Sequence, residues 1–283
     1  MKNYLSLVKF SHTVFALPFA IIGYTLAVTT PGYAFNIMDL LLVLLCMVFA
    51  RSAAMAFNRY IDADIDKLNK RTASREIPSG IITKKNALFF IIVNAIGFIV
   101  AAGLLNSLCL YLSPVALLVV LGYSYTKRFT WLCHVILGLG LSLAPIGAYI
   151  AVTEHFALLP ILFSAAVLTW VSGFDIIYAL QDDTFDKEHH LYSIPSSMGR
   201  NNAILISIVL HLITATCVFV AGNYAAFGIF YWLGAGIFTG MLIYQHLLVR
   251  PNDLSKVNIA FFTTNGIASV VFGVFVISDL IFF

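Results

Sequence analysis

Apolar runs of roughly 17–25 residues, the length a bilayer-spanning helix needs, recur along the whole chain and are parted by polar breaks. Nine such runs cover residues 13–30, 37–57, 86–105, 108–126, 131–152, 156–180, 202–221, 225–249 and 257–281. None has the two-residue alternation of polar and apolar positions that a membrane β-barrel strand requires. The pattern predicts an all-α polytopic membrane protein with nine transmembrane helices. Four breaks are short: Thr29-Thr30-Pro31-Gly32, Asn106-Ser107, Thr153-Glu154-His155 and Gly222-Asn223. Those after the second and sixth runs are long and polar, and each ends in a Pro/Gly turn. The turns are Pro78-Ser79-Gly80 and Ile194-Pro195-Ser196-Ser197-Met198-Gly199.

Charge placement gives the topology. All 16 Lys and Arg fall in the N-terminal segment, in the 2–3, 4–5, 6–7 and 8–9 connections, or beside them. The positive-inside rule then puts the N-terminus in the cytoplasm and the C-terminus outside. The membrane implied is a bacterial inner membrane. Composition agrees: the chain is 61% hydrophobic and 10% charged, with mean hydropathy +0.95, whereas soluble domains carry about 25% charged residues. Topology accounts for the +3 net charge without a nucleic-acid partner. Lys2 and Lys9 fit the same charge pattern, so the first run reads as a retained span, not a cleaved signal. Cys46, Cys109, Cys133 and Cys217 lie singly in apolar runs and read as packing residues. With no linker or low-complexity stretch, residues 1–283 read as a single domain.

The acidic residues carry the candidate chemistry. Six of the 13 lie in two strips at the cytoplasmic ends of the second and sixth runs. The first is Asn58-x3-Asp62-x3-Asp66 and the second is Asp182-Asp183-Thr184-Phe185-Asp186. A spacing of four on a helix stacks side chains on one face, with Cβ atoms about 5–6 Å apart. Two carboxylates that close repel by roughly 3 kcal/mol at an effective dielectric of about 20. A cation relieves that repulsion, and hard oxygen donors point to Mg²⁺, which is usually shared with phosphate oxygens. A phosphorylated substrate follows. Asp64 is turned about 200° from Asp62 and faces away. In the second strip, Asp182 with Asp186 is favoured over Asp183 with Asp186, and both pairs fit the spacing. Two similar strips, each before a polar loop and a Pro/Gly turn, make a weak internal duplication. The ordinary alternative, a solvated helix end, does not explain the repetition in a chain so poor in acids.

Basic side chains beside the strips suit a diphosphate leaving group. Arg75, Lys127 and Arg128 are the strongest candidates, and topology alone accounts for about half of the others. Arg51 and Asp175 are the charges deepest in apolar sequence, each seven residues (about 10.5 Å) before its strip and on nearly the same face. Ionisable groups there are functional by default. A structural Arg51–Asp175 pair is the alternative to Arg51 orienting an acidic or phenolic acceptor while Asp175 takes a proton. Aromatic residues are abundant, among them Phe15, Phe19, Tyr24, Tyr149, Trp170, Phe174 and Tyr178. Most read as packing, with a subset able to cradle an isoprenoid and its cation.

These residues fall in a familiar order. Asn58-x3-Asp62-x3-Asp66, Lys70-Arg71-Thr72-x2-Arg75-x2-Pro78-Ser79-Gly80, Tyr123-x3-Lys127-Arg128 and Gly173-Phe174-Asp175-x2-Tyr178-x2-Gln181-Asp182-x3-Asp186 together resemble the UbiA family of intramembrane aromatic prenyltransferases. The resemblance implies a nine-helix horseshoe. It implies Asp62, Asp66, Asp182 and Asp186 as Mg²⁺ ligands, with Asn58, Arg75, Lys127 and Arg128 at the diphosphate of a polyprenyl diphosphate. Many members have N-D-x-x-D, where this chain has Arg59 in place of the second acid. Lys9-Phe10-x-His12-Thr13-x-Phe15-Ala16-Leu17-Pro18-Phe19, with Arg51-Ser52, is most similar to the 4-hydroxybenzoate branch. That branch implies an aromatic acid acceptor in quinone biosynthesis, and its relatives that prenylate naphthoates for menaquinone are the alternative. Two other classes compete. A cation-coupled transporter would place broken helices and carboxylates near the midplane, whereas these lie at one face. A CDP-alcohol phosphotransferase would carry D-G-x-x-A-R, which is absent.

Overall fold

The computed structural model describes residues 2–8 and 15–282, and no strand occurs among the described residues. Lys9, Phe10, His12 and Thr13, named above for the resemblance, lie outside the described residues. The helices are α1 (Lys2–Leu7), α2 (Leu17–Thr29), α3 (Ile37–Ile61), α4 (Ala63–Asp66), α5 (Lys84–Leu105), α6 (Ser107–Thr126), α7 (Cys133–Thr153), α8 (Leu158–Ala179), α9 (Asp183–Glu188), α10 (Ile194–Met198), α11 (Arg200–Tyr224), α12 (Ile229–Leu248) and α13 (Asn265–Phe282). Every predicted apolar run contains one of the long helices. Seven are long and apolar enough to cross a membrane: α3, α5, α6, α7, α8 continued to Glu188, α11, and α13 with the π-helical turn Ile259–Thr264 before it. The other two runs hold α2, which has 13 residues, and α12, whose apolar character is diluted by Tyr231, Trp232, Tyr244, Gln245 and His246.

The helix starts follow from the polar breaks. Asn36, Thr83 and Asn106 cap α3, α5 and α6, their side-chain oxygens accepting from the backbone N–H of Met38, Asn86 and Cys109. Each satisfies a donor that the first turn of a helix leaves unpaired. Between α10 and α11 the chain turns at Gly199, whose φ of 82° is a backbone conformation that suits glycine.

Successive long helices pack side by side, α3 on α5, α6 and α7 in turn, then α8, α11, α12 and α13. The last, α13, returns to α2, which also lies against α7. Rim helices turn apolar side chains outward, such as Phe89, Leu104, Leu118, Leu212 and Phe219, as lipid contact requires. The centre is α8, which is mostly buried, whereas α6 buries only Ser113, Leu117, Ser124 and Thr126. Around it Phe19, Trp170, Phe238 and Phe272 form an aromatic core, with Trp170 donating to Asn265 Oδ1 at 3.0 Å. Glycines set two of the approaches. A Cβ on Gly23 of α2 would sit 2.1 Å from the Pro145 carbonyl oxygen of α7. One on Gly138 of α7 would sit 2.4 Å from the Leu168 oxygen of α8. Small residues thus bring α7 against both neighbours, as close helix packing in membranes demands.

Candidate active site

The first acidic strip lies at the end of α3. The helix breaks at Asp62 (φ −87°, ψ 2°), and α4 resumes the coil at Ala63. The i to i−4 bonds nevertheless persist, with Asp62 N–H donating to the Asn58 oxygen at 3.0 Å and Asp66 N–H to the Asp62 oxygen. Asn58, Asp62 and Asp66 therefore share one wall of a cavity. Asp62, 2% exposed, accepts from Arg128 Nη2 at 3.0 Å and Asn58 Nδ2 at 3.2 Å, and Lys127 Nζ is 3.4 Å away. Asp66 accepts from Arg75 Nη1 at 2.8 Å on both oxygens. Asp64 points away, its side chain 79% exposed and ion-paired with Lys84 at 2.9 Å. That hydrogen bond from Lys84 holds the Asp64 carboxyl below the usual carboxylate range.

In the second strip, α8 gives way to a tight 3₁₀ turn, Leu180–Asp182, before α9. The turn sends the adjacent acids in different directions. Asp182 and Asp186 face the cavity. Asp182 accepts from Arg71 through Nη2 and through Nε at 3.1 Å, and from Asn69 Nδ2 at 3.2 Å. Asp183 instead takes a fork from Arg200, with Nε at 2.8 Å and Nη2 at 2.9 Å. Arg75 and Lys127 are on the cavity wall; Arg128 reaches Asp62 from behind it and also donates to the Ile61 and Ser124 carbonyls.

The cavity has a volume of about 940 Å³. Its charged end holds the four aspartates. The rest runs between α3, α6 and α7 past Leu112, Val115, Val119, Ile146 and Ile150 to Leu105, Cys109 and Phe156. From Tyr123 to Cys109 along α6 is about 21 Å of helix rise. Phe15, Phe174 and Tyr178 line it with Phe261 and Phe262, whereas Phe19 and Trp170 belong to the core. Arg51 and Asp175 also stand on its wall. They do not form the structural pair weighed as the alternative: Asp175 meets His134, Nδ1 to Oδ2 at 2.7 Å.

Asn69 and His134 have no place in the sequence motifs, and Arg71 stands in one of them without a role of its own. Arg71 looked like one of many topology-setting cations, yet it also donates to Tyr178 Oη at 3.1 Å. His134 was a lone polar residue opening an apolar run, and that position was its only signal. Hard carboxylate oxygens at one cavity end are suitable Mg²⁺ donors. In this arrangement Asp62, Asp66 and Asp182 are engaged with Arg or Lys. No three His, Cys, Asp or Glu side chains among the described residues converge closely enough to hold a metal.

Two aspartate strips and their basic partners thus stand at one end of a long apolar cavity within a bundle of membrane helices. The UbiA prenyltransferase family profile matches residues 16–267, and the chain belongs to that family. It is 32% identical over 235 residues to the 4-hydroxybenzoate octaprenyltransferase of Tolumonas auensis, covering 83% of this chain and 82% of that one. Its fold matches the apo structure of a UbiA homolog from Aeropyrum pernix K1 with TM-score 0.86 and 30% identity, over 95% and 98% of the two chains. It also matches a UbiA homolog from Archaeoglobus fulgidus bound to GPP and Mg²⁺, with TM-score 0.76 and 20% identity over 98% and 99%. The protein is thus an integral membrane prenyltransferase.

Proposed function

We propose that this enzyme transfers a polyprenyl group from polyprenyl diphosphate to an aromatic acid of the 4-hydroxybenzoate type, with Mg²⁺, in quinone biosynthesis. The observation that carries the reading is one cavity with a charged end and a long apolar body. A phosphate-bearing head and a lipid tail need both. The curated relative from Tolumonas auensis is named for the same acceptor. The fold neighbour with GPP and Mg²⁺ lends the cofactor a precedent.

Asp62, Asp66, Asp182 and Asp186 would hold Mg²⁺. Bound there, the metal would neutralise charge on the departing diphosphate. Arg71 and Arg75, beside Asp182 and Asp66, would meet diphosphate oxygens, with Asn58 and Lys127 alongside and Arg128 fixing Asp62. The C–O bond to diphosphate breaks with its electron pair on the leaving oxygen. A ring carbon ortho to the acceptor hydroxyl supplies the pair for the new C–C bond, and Asp175 takes the ring proton. Phe15, Phe174 and Tyr178 shield the allylic cation from water and offer ring faces to it. Arg51 would orient the acceptor carboxylate. On this reading residues 1–283 act as one domain, and the charged end opens to the cytoplasm of a bacterial inner membrane.

The test is purified protein with a prenyl diphosphate, Mg²⁺ and a panel of hydroxybenzoic and naphthoic acids. Diphosphate release that needs a hydroxybenzoate supports the reading. Release only with naphthoates moves the acceptor assignment to menaquinone precursors, and no release with any acceptor overturns it.

A further inference from the structure

We infer that His134 is a positioning residue for the base: it holds one oxygen of Asp175 so that the other faces the acceptor. This deepens the proposed reaction and rests on it, because it requires a ring proton to be removed. Asp175 stands in α8 on the cavity wall with its side chain 22% exposed, while His134 is 3% exposed in the α7–α8 seam. His134 Nδ1 lies 2.7 Å from Asp175 Oδ2. Among the described residues, nothing donates to Asp175 Oδ1.

The tautomer follows from the far side of the ring. The backbone N–H of Ile194 donates to His134 Nε2 at 3.3 Å. A backbone N–H can only donate, so Nε2 is an acceptor and bears no proton. A neutral imidazole with a bare Nε2 carries its proton on Nδ1, which then donates to Asp175. Protonating Nε2 would set two donors head to head and break the bond to Ile194. His134 is therefore a fixed donor, and the proton lost by the acceptor goes to Oδ1 of Asp175. The C–H bond at the prenylated ring carbon breaks, and its electron pair restores the aromatic ring.

Two features make the arrangement specific. Gly138, one turn along α7, removes the Cβ that would otherwise separate α7 from Leu168 and Ser172 of α8. That contact brings His134 within reach of Asp175. Ile194, in turn, opens α10, which Ser193 closes with a reciprocal capping box. The hydrogen bond from Ile194 thus joins the base to the segment that follows Asp186.

The test compares His134→Phe, which keeps a ring without donors, with His134→Asn, whose amide places a donor near the Nδ1 position. Both are assayed with protiated acceptor and with acceptor deuterated ortho to the hydroxyl. His134→Phe should lower kcat about tenfold or more, leave the KM for prenyl diphosphate unchanged, and unmask a primary isotope effect absent from the wild type. His134→Asn should recover most of kcat and lose the isotope effect. Equal impairment of the two variants, a loss in KM alone, or a loss of kcat without an isotope effect would overturn the role of His134. If His134→Phe does not fold, an Asn variant with wild-type kcat and no isotope effect supports the role, and one with a full isotope effect overturns it. A wild type that releases no diphosphate with any acceptor takes the underlying reading down with it.

Discussion

Asp182 and Asp183 stand side by side in the chain yet meet different arginines. Asp182 faces the cavity and holds Arg71, while Asp183 is turned to Arg200 outside it. Asp182→Ala should therefore abolish turnover, by about 100-fold or more, in protein that still inserts and folds. Asp183→Ala breaks an ion pair whose arginine side is 35% exposed, so it should leave kcat near wild type and lower stability by about 1 kcal/mol. Parallel kinetic and thermal-melt measurements check this. Inactivation by Asp183→Ala with Asp182→Ala still active would reverse the assignment.

Metal dependence is the companion prediction. Asp62, Asp66, Asp182 and Asp186 share one cavity and are the proposed Mg²⁺ ligands, hard oxygen donors of the kind that ion takes. EDTA should reduce diphosphate release to background, and Mg²⁺ should restore it. Asp62→Ala should behave like the chelated wild type and resist rescue by added Mg²⁺. Full activity in metal-free protein would sink the four-aspartate site.

The helix positions and the acid strips were legible in sequence because both follow from periodicity: apolar length sets the helices, and a spacing of four sets one face. What was not legible depended on breaks in that periodicity. The spacing of four favours Asp182 with Asp186, but it does not give the 3₁₀ turn at Leu180–Asp182 or the turning of Asp183 to Arg200. His134 was hidden for another reason. Its partner Asp175 is 41 residues away, across a helix contact that exists because Gly138 lacks a side chain.

Asp279 makes a separate structural prediction. It is 2% exposed near the end of α13 and accepts from the backbone N–H of Gly228 at 2.8 Å and of Tyr231 at 3.1 Å. An acid from one helix thereby satisfies the unpaired donors at the start of another. Asp279→Ala should destabilise the protein by about 1–3 kcal/mol, read as a lowered Tm in detergent, with KM values unchanged. Asp279→Asn, which keeps an acceptor oxygen, should lose less.

Topology can be checked directly. Every Lys and Arg lies on one side of the predicted spans, so the C-terminus and the loop at residues 67–75 should face opposite sides of the membrane. Reporter fusions at the two positions should give opposite signals. The same side for both would require α12, the least membrane-like of the long helices between the two positions, to leave the bilayer.

The acceptor assignment turns on Arg51. It lies on the cavity wall about two turns below Asn58 along α3, deeper than the side chains proposed to meet the diphosphate. If it binds the acceptor carboxylate through a planar fork, Arg51→Lys keeps the charge but loses the bidentate geometry. The KM for the aromatic acid should then rise about tenfold, a change of about 1.4 kcal/mol, while prenyl diphosphate affinity changes little. Acceptor analogues lacking the carboxylate should be poor substrates of the wild type and should lose little more in the variant. Comparing both changes in both backgrounds isolates the coupling between guanidinium and carboxylate. Should Arg51→Lys instead weaken prenyl diphosphate binding and spare the acceptor KM, Arg51 belongs with Arg71 and Arg75 at the diphosphate, and a carboxylated acceptor loses its main physical support.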